Sequence, residues 1–345
     1  MKSEKLSFLV ILSSISFLFY LFSPQFFNLM EHDSKSYIEF SSERTAIYPI
    51  FLSLFEKSNY YLIIIIQYTI LSLSIVFLSY TLYRLRISKL LALGFFILCH
   101  LNFYYFSFSK TILTESFFFS SINLLVGLIL TNYKVPKKTN FLFMGLLSGI
   151  IASIKSIGII MILICIFFLF YLYLKSKIRK IHLITFFFSL LFPIILENYF
   201  YYKNHDSRNS VLHTAIIGKA FVISKAIKNP ELLPLEYKNI ILKMKNESNK
   251  VDKFLDNISN PWLYADLKSD YEVVFQSQIL KKELVELSKS LGNSTKETFT
   301  HIGLYIILAH PLEYIKVSLW HYFNLWSPGG KKIFFDDYLK NKTVE

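Results

Sequence analysis

The chain has 345 residues, 53% of them hydrophobic and 18% aromatic, and only 18% are charged, where a soluble domain carries about 25%. With 35 Phe and 23 Tyr against 10 Gly and 9 Pro, it holds more apolar surface than a compact globule can hide. Lipid must cover part of it, and disordered, collagen-like and disulfide-scaffold readings are excluded. The net charge of +13 is unevenly spread: residues 1–201 carry 17 Lys/Arg and 8 Asp/Glu, and residues 202–345 carry 20 and 16. In a membrane protein such charge is first an orientation signal, and no nucleic-acid partner is expected. Cys99 and Cys165 each lie inside an apolar run and read as packing residues.

Seven apolar stretches are long enough to suggest crossings of a hydrocarbon core about 30 Å thick. They run over residues 6–22, 60–82, 90–108, 112–130, 141–154, 157–174 and 181–201, the fifth being short. The first reads as a retained anchor, because its apolar run is long and no small-residue cleavage site follows it. Alternate connections are basic: Lys2 and Lys5; Arg84, Arg86 and Lys89; Lys134, Lys137 and Lys138; Lys175, Lys177, Arg179 and Lys180. Only Glu4 accompanies them. The positive-inside rule puts that side, and the amino terminus, in the cytoplasm. Seven crossings then leave the chain after Tyr201 outside.

The expected outer side mixes both signs. The loop over residues 23–59 holds Glu31, Asp33, Glu39, Glu43 and Glu56 with Lys35, Arg44 and Lys57, and Lys110, Glu115 and Lys155 stand at the membrane edge. Ionisable groups at that depth point to function, or else snorkel to the interface. Read as a helix from Ser34 onward, the loop sets Asp33, Tyr37, Phe40 and Arg44 along one face. Asp33 and Arg44 would then lie about 16 Å apart, able to bracket an extended ligand but not to share one atom. The same pattern fits an interfacial amphipathic helix with a charged outer face.

Residues 202–298 read as soluble and mostly helical, with apolar residues at three-to-four spacing and turn signals at Pro230, Pro261 and Gly292. Residues 299–345 read as an interfacial helix hairpin followed by a short tail, with His301, His310, Glu313, Lys316 and His321 among its aromatics. The expected fold is thus all-α: a polytopic bundle of about seven spans over residues 1–201, then a helical extracytoplasmic region. No phosphate loop, nucleophile elbow, H-E-x-x-H or paired C-x-x-C is present. The eight His are scattered, which favours packing over a metal site. Four N-x-S/T triplets, at Asn246, Asn257, Asn293 and Asn341, are what chance gives in so Asn-rich a segment.

An acid in the loop after the first span, then a Tyr, then R-x-x-x-Y-P-x-F-L resembles the membrane glycosyltransferases of the GT-C class. The likeness is to the lipid-linked-sugar-dependent bacterial branch related to protein O-mannosyltransferases and the lipid A aminoarabinose transferase. KTILTESFFF, GLLSGIIASIKSIGIIMIL, LLFPIILENYFYYKNHDSRNSV and AHPLEYIKVSLWHYFNLW resemble further pieces of that family in the same order. Departures are Ala46-Ile47 where the family has Pro-Gly before its Tyr-Pro, and Lys155 where it commonly has Arg. The family also continues with further spans, so the resemblance implies a shortened member, or one that works with a second membrane subunit.

The resemblance implies a multi-pass protein of the cytoplasmic (inner) membrane. It would transfer a hexosyl or pentosyl group, with inversion, from a polyprenyl-phosphate sugar to a lipid, glycan or protein acceptor on the outer face. It casts Asp33 as general base, with Glu115 orienting the acceptor. Arg44, Lys155 and Lys110 would stand at the donor phosphate, and His32, Tyr37 and Tyr48 at the substrate. Metal dependence varies across the class; if a divalent cation is used, Asp33 and Glu115 are the ligands to expect. The alternative from another class is a non-catalytic polytopic protein, either a decayed relative or an envelope-glycan assembly or transport component. Flipping is disfavoured, because the membrane-depth charges cluster at one edge instead of lining a path.

Overall fold

The computed structural model describes residues 2–22, 30, 33–56, 59–102, 108–208, 212–229, 231, 233–256 and 280–324. Among them every regular element is helical. Contacts divide the chain into two compact units, Met1–Asn209 and Ser210–Glu345.

The first unit contains α1 (Lys2–Phe22), α2 (Ser34–Ile38), α3 (Ile47–Ser53), α4 (Tyr60–Arg84) and α5 (Lys89–Leu101). It continues with α6 (Glu115–Lys134), α7 (Lys138–Ile154), a 3-10 turn (Ser156–Gly158), α8 (Ile159–Leu174) and α9 (Lys180–Asn204). Among the described residues four helices are long and apolar enough to cross a membrane: α4, α6, α8 with its 3-10 turn, and α9. The expected spans at 6–22, 90–108 and 141–154 correspond to shorter apolar helices, Leu6–Phe19, Lys89–Leu101 and Lys138–Ile154. At 13 residues, α5 reaches about 20 Å, so the run expected to 108 is not one helix; residues 103–107 lie outside the described part. The span expected from Ile112 begins at Glu115. The turn before it is held open by Gln67, whose side-chain NH2 donates to the carbonyls of Ser109 and Thr111 at 3.4 and 2.7 Å.

Packing inside this unit joins apolar clusters, such as Leu125, Phe141, Met144, Leu169 and Phe186, with small and polar residues that let helices approach and bond. Gly145 and Gly149 form a G-x-x-x-G stripe on α7 that lies against the α9 backbone. A Cβ at Gly145 would come within 2.3 Å of the Phe186 carbonyl, and one at Gly149 within 2.5 Å of the Leu190 carbonyl. Between α4 and α6, Ser116 Oγ donates to the Gln67 carbonyl at 2.9 Å and Asn123 Nδ2 to Ser74 Oγ at 3.1 Å. Outward faces are apolar: Phe167 and Phe170 on α8, and Phe188, Phe192 and Ile195 on α9, are exposed. Such rows match a lipid-covered surface.

The basic turns gather at one end. Lys89 lies over the Phe8 ring at 5.8 Å, Arg84 over Tyr80 at 6.0 Å and Lys177 over Tyr133 at 4.7 Å. The opposite end carries the 33–56 segment, the start of α6 and the ends of α7 and α9.

The second unit contains α10 (Leu212–Ile223), α11 (Lys238–Leu255), α12 (Lys281–Ser290), α13 (Thr295–Ala309) and α14 (Pro311–Asn324). Its core joins Phe221, Ile241, Leu284, Phe299 and Ile302. The boundaries expected at 201/202 and 298/299 therefore do not both divide compact units: the first falls after Asn209, and α13 shares one core with α10. Gly303 permits this, since a Cβ there would meet Ile216 Cγ2 at 2.4 Å. Ser294 caps α13 through a reciprocal bond with Glu297. Where the helix hairpin was expected, α13 and α14 meet at a 99° bend at His310–Pro311, and the expected tail from residue 325 lies outside the described residues; taken as one broken span, the bent pair would raise the candidate crossings among the described residues to five.

Candidate functional site

The helix expected to run from Ser34 through Arg44 stops at Ile38. Phe40 adopts a left-handed conformation (φ 47°), Phe40 N–H donates to the Tyr37 carbonyl at 3.2 Å and Ser41 N–H to the Ser36 carbonyl at 2.9 Å. This is the closure usually left to glycine. A left-handed residue with a side chain costs about 1–2 kcal/mol. The Phe40 ring offsets it by packing edge-on against His205 and Tyr201, with centroids at 4.7 and 6.2 Å.

The reversal brings Arg44 back over α2. Its Nη2 meets Asp33 Oδ1 at 2.7 Å, its Nε donates to Ser36 Oγ at 2.7 Å and its Nη1 to the Tyr37 hydroxyl at 3.2 Å. The guanidinium also lies over the Tyr37 ring, 4.4 Å from its centroid. Asp33 and Arg44 thus form a direct ion pair, which corrects the expected separation of about 16 Å. The helix that would have kept them apart ends after five residues.

From Arg44 the polar contacts continue inward. The Tyr37 hydroxyl is 3.2 Å from Thr114 Oγ1, which donates to Glu115 Oε2 at 3.3 Å, and Glu115 Oε1 pairs with Lys155 Nζ at 2.6 Å. Since Thr114 spends its proton on Glu115, Tyr37 must donate to Thr114 and accept from Arg44. Asp33, Arg44, Glu115 and Lys155 are therefore joined in one chain of contacts. The Asp33 carboxylate is 59% exposed and the Glu115 carboxylate 20%, so the chain runs from surface to half-buried.

Tyr37 and Tyr48, expected at the substrate, are both buried and pack edge-to-face at 5.3 Å. The Tyr48 hydroxyl donates to Gln67 Oε1 at 2.5 Å. Burial, and then the nearby charge of Glu115, raise its pKa above the usual phenol range. It stays a neutral donor anchoring α3. Lys110 lies on the turn that Gln67 holds, and burial lowers its pKa. His32 lies outside the described residues. The carboxylates of Asp33 and Glu115 each face a cation, with Arg44, Tyr37 and Thr114 between them, so they do not present the paired oxygens a shared divalent ion needs. Among the described residues no three His, Cys, Asp or Glu cluster as a metal site.

A second cluster fixes the loop from behind. Glu197, 3% exposed near the end of α9, accepts both oxygens' bonds from Arg208 Nη2, at 2.8 and 2.7 Å, and the Ala46 N–H at 3.2 Å. The Tyr201 hydroxyl donates to the Ser42 carbonyl at 2.6 Å, and Thr45 Oγ1 to the Ile154 carbonyl at 3.0 Å. Sequence reasoning passed over Glu197. Its signal was present: after Glu115 it is the next acid in the chain, and it sits within a 25-residue apolar helix.

No family model matches the chain, and neither does any curated protein or solved structure. The chemistry assigned to the site therefore rests on its geometry. That geometry offers an exposed carboxylate oriented by a guanidinium, joined through Tyr37, Thr114 and Glu115 to a half-buried cation.

Proposed function

We propose that the protein is an integral-membrane glycosyltransferase of the GT-C kind, acting on a polyprenyl-phosphate sugar at the outer face of the cytoplasmic membrane. The observation that supports it is the joining of Asp33, Arg44, Glu115 and Lys155, far apart in sequence, at the end of the unit opposite the basic turns. In this reading the seven apolar helices cross or enter the membrane with the amino terminus in the cytoplasm, and the chain beyond Tyr201 lies outside. The acceptor hydroxyl attacks the anomeric carbon while its proton passes to Asp33, and the bond from that carbon to the phosphate oxygen breaks with inversion. Lys155 compensates the charge on the departing phosphate, and Arg44 turns the Asp33 carboxylate toward the acceptor.

The test is transfer of labelled sugar from polyprenyl-phosphate donors by the purified chain. Asp33→Asn should keep the fold and donor binding and lose about 10²- to 10⁴-fold in turnover. Lys155→Ala should weaken donor binding as well as rate, because the phosphate is charged in ground and transition states alike. Equal, mild losses in both would sink this division of roles. The second reading, a non-catalytic polytopic protein, is favoured by one observation: each carboxylate of the site already faces a cation, as in a structural strut. It predicts no transfer by wild type across a broad donor and acceptor screen. Orientation is tested separately by impermeant thiol labelling, which should modify a Cys at the exposed position Asn249 (Asn249→Cys) in intact cells and spare Ser176→Cys.

A further inference from the structure

At the end of the first unit away from the candidate site, α1, α4 and α6 wall a cleft of about 780 Å³. Its walls are mostly apolar, with Leu9 from α1, Phe77 from α4 and Leu128 from α6 among a few hydroxyls such as Ser13 and Thr131, and its rim carries Arg84, Lys134 and Lys137. All three cations are exposed. Residues 57–196 hold a single acid, Glu115, and it stands at the far end of α6 from Lys134. Glu4 is the one acid that α1 brings to this end. Three like charges around one opening repel each other, and an anion placed among them relieves that cost. The apolar walls below ask for hydrocarbon.

The depth of the cleft identifies which hydrocarbon. Along α4 its lining runs from Arg84 to Leu73, about 16 Å of helix. That is about half of a 30 Å hydrocarbon core, the depth of one leaflet. We infer that this cleft is a binding site for a diacyl anionic phospholipid, with its head group held by Arg84, Lys134 and Lys137 and an acyl chain lying between α1, α4 and α6. The inference concerns the opposite end of the unit from the proposed sugar transfer and stands whether or not that reading holds.

Native mass spectrometry of the full chain in detergent tests it, with phosphatidylglycerol and phosphatidylcholine of identical acyl chains as probes. Phosphatidylglycerol should bind at least tenfold more tightly, since each cation near an anionic head group contributes about fivefold. Arg84→Gln with Lys134→Gln and Lys137→Gln should abolish that preference. The charge-keeping triple, Arg84→Lys with Lys134→Arg and Lys137→Arg, should retain it, which separates charge loss from misfolding. Lys175→Gln with Arg179→Gln and Lys180→Gln removes the same charge from the turn between α8 and α9 and should leave the preference within twofold of wild type. Thr131→Trp, which fills the cleft, should reduce binding of both lipids. Equal binding of the two lipids, or equal loss in the two neutralised triples, would overturn the site. Preference for polyprenyl phosphate over phosphatidylglycerol would overturn the assigned occupant.

Discussion

The two ends of the first unit treat charge in opposite ways. At the end built on α2, α3 and the start of α6, each cation of the network meets a carboxylate: Arg44 with Asp33, Lys155 with Glu115, Arg208 with Glu197. At the other end basic residues crowd three turns and the start of α1 with Glu4 as their one acid, and the contacts described for them are with aromatic rings and backbone. Paired charges at half-buried depth hold particular side chains in particular places. Among the described residues the basic side chains of the turns touch rings and backbone at the surface, so no single one of them is expected to matter to internal packing. The first end is specified residue by residue, the second by sum.

The difference can be broken most forcefully at Glu197. Glu197→Ala removes the acceptor of both Arg208 and the Ala46 N–H, and should cost about 3 kcal/mol, read as a loss of thermal stability in detergent. Glu197→Gln, which can still accept from Ala46, should cost clearly less. Lys155→Ala leaves Glu115 facing apolar surroundings and Thr114 alone, at about 2 kcal/mol. Adding Glu115→Gln should recover part of that loss, and a strictly additive double mutant would show that the pair is not coupled. Phe40→Gly relieves the left-handed backbone but gives up ring contacts on Tyr201 and His205. A net loss of about 1 kcal/mol is expected, and a gain would mean that those contacts contribute nothing. At the basic end, Lys180→Gln should change stability by less than about 0.5 kcal/mol. A loss there as large as that of Lys155→Ala would erase the contrast.

The long helices and the gathering of the basic turns were legible because they depend on sums over many residues: runs of apolar side chains, and Lys or Arg confined to alternate connections. The four ionisable residues of the site were legible as individuals, since charges at a membrane edge are rare. Their arrangement was not. It turns on Phe40, a residue type that gives no signal for a left-handed backbone and tolerates one here only because Tyr201 and His205, far along the chain, receive its ring. Gln67 and Thr114 escaped notice for a related reason: Gln67 meets backbone at 109 and 111 and Thr114 meets Tyr37, so local pattern carries no trace of those bonds. Glu197 was visible as a lone acid in an apolar helix, but its partners at 46 and 208 were not. The division expected near 298 falls inside α13, whose composition looks interfacial while Gly303 lets it dock closely on α10.

The anchoring of the 33–46 segment has a consequence for the order in which the molecule is made. A chain emerges amino end first, so Asp33 and Arg44 leave the ribosome well before their supports. The Glu115–Lys155 pair becomes available once α7 has followed α6. The Ser42 carbonyl and the Ala46 N–H wait for Tyr201 and Glu197, and the glycine stripe of α7 waits for α9, with all of α8 intervening. Through that interval the segment can rest only on α4 and the start of α6, through Tyr48 and Tyr37. Its final seat is supplied by the last long helix of the unit to arrive, so a chain interrupted before Glu197 carries the residues of the site but not the means to assemble them.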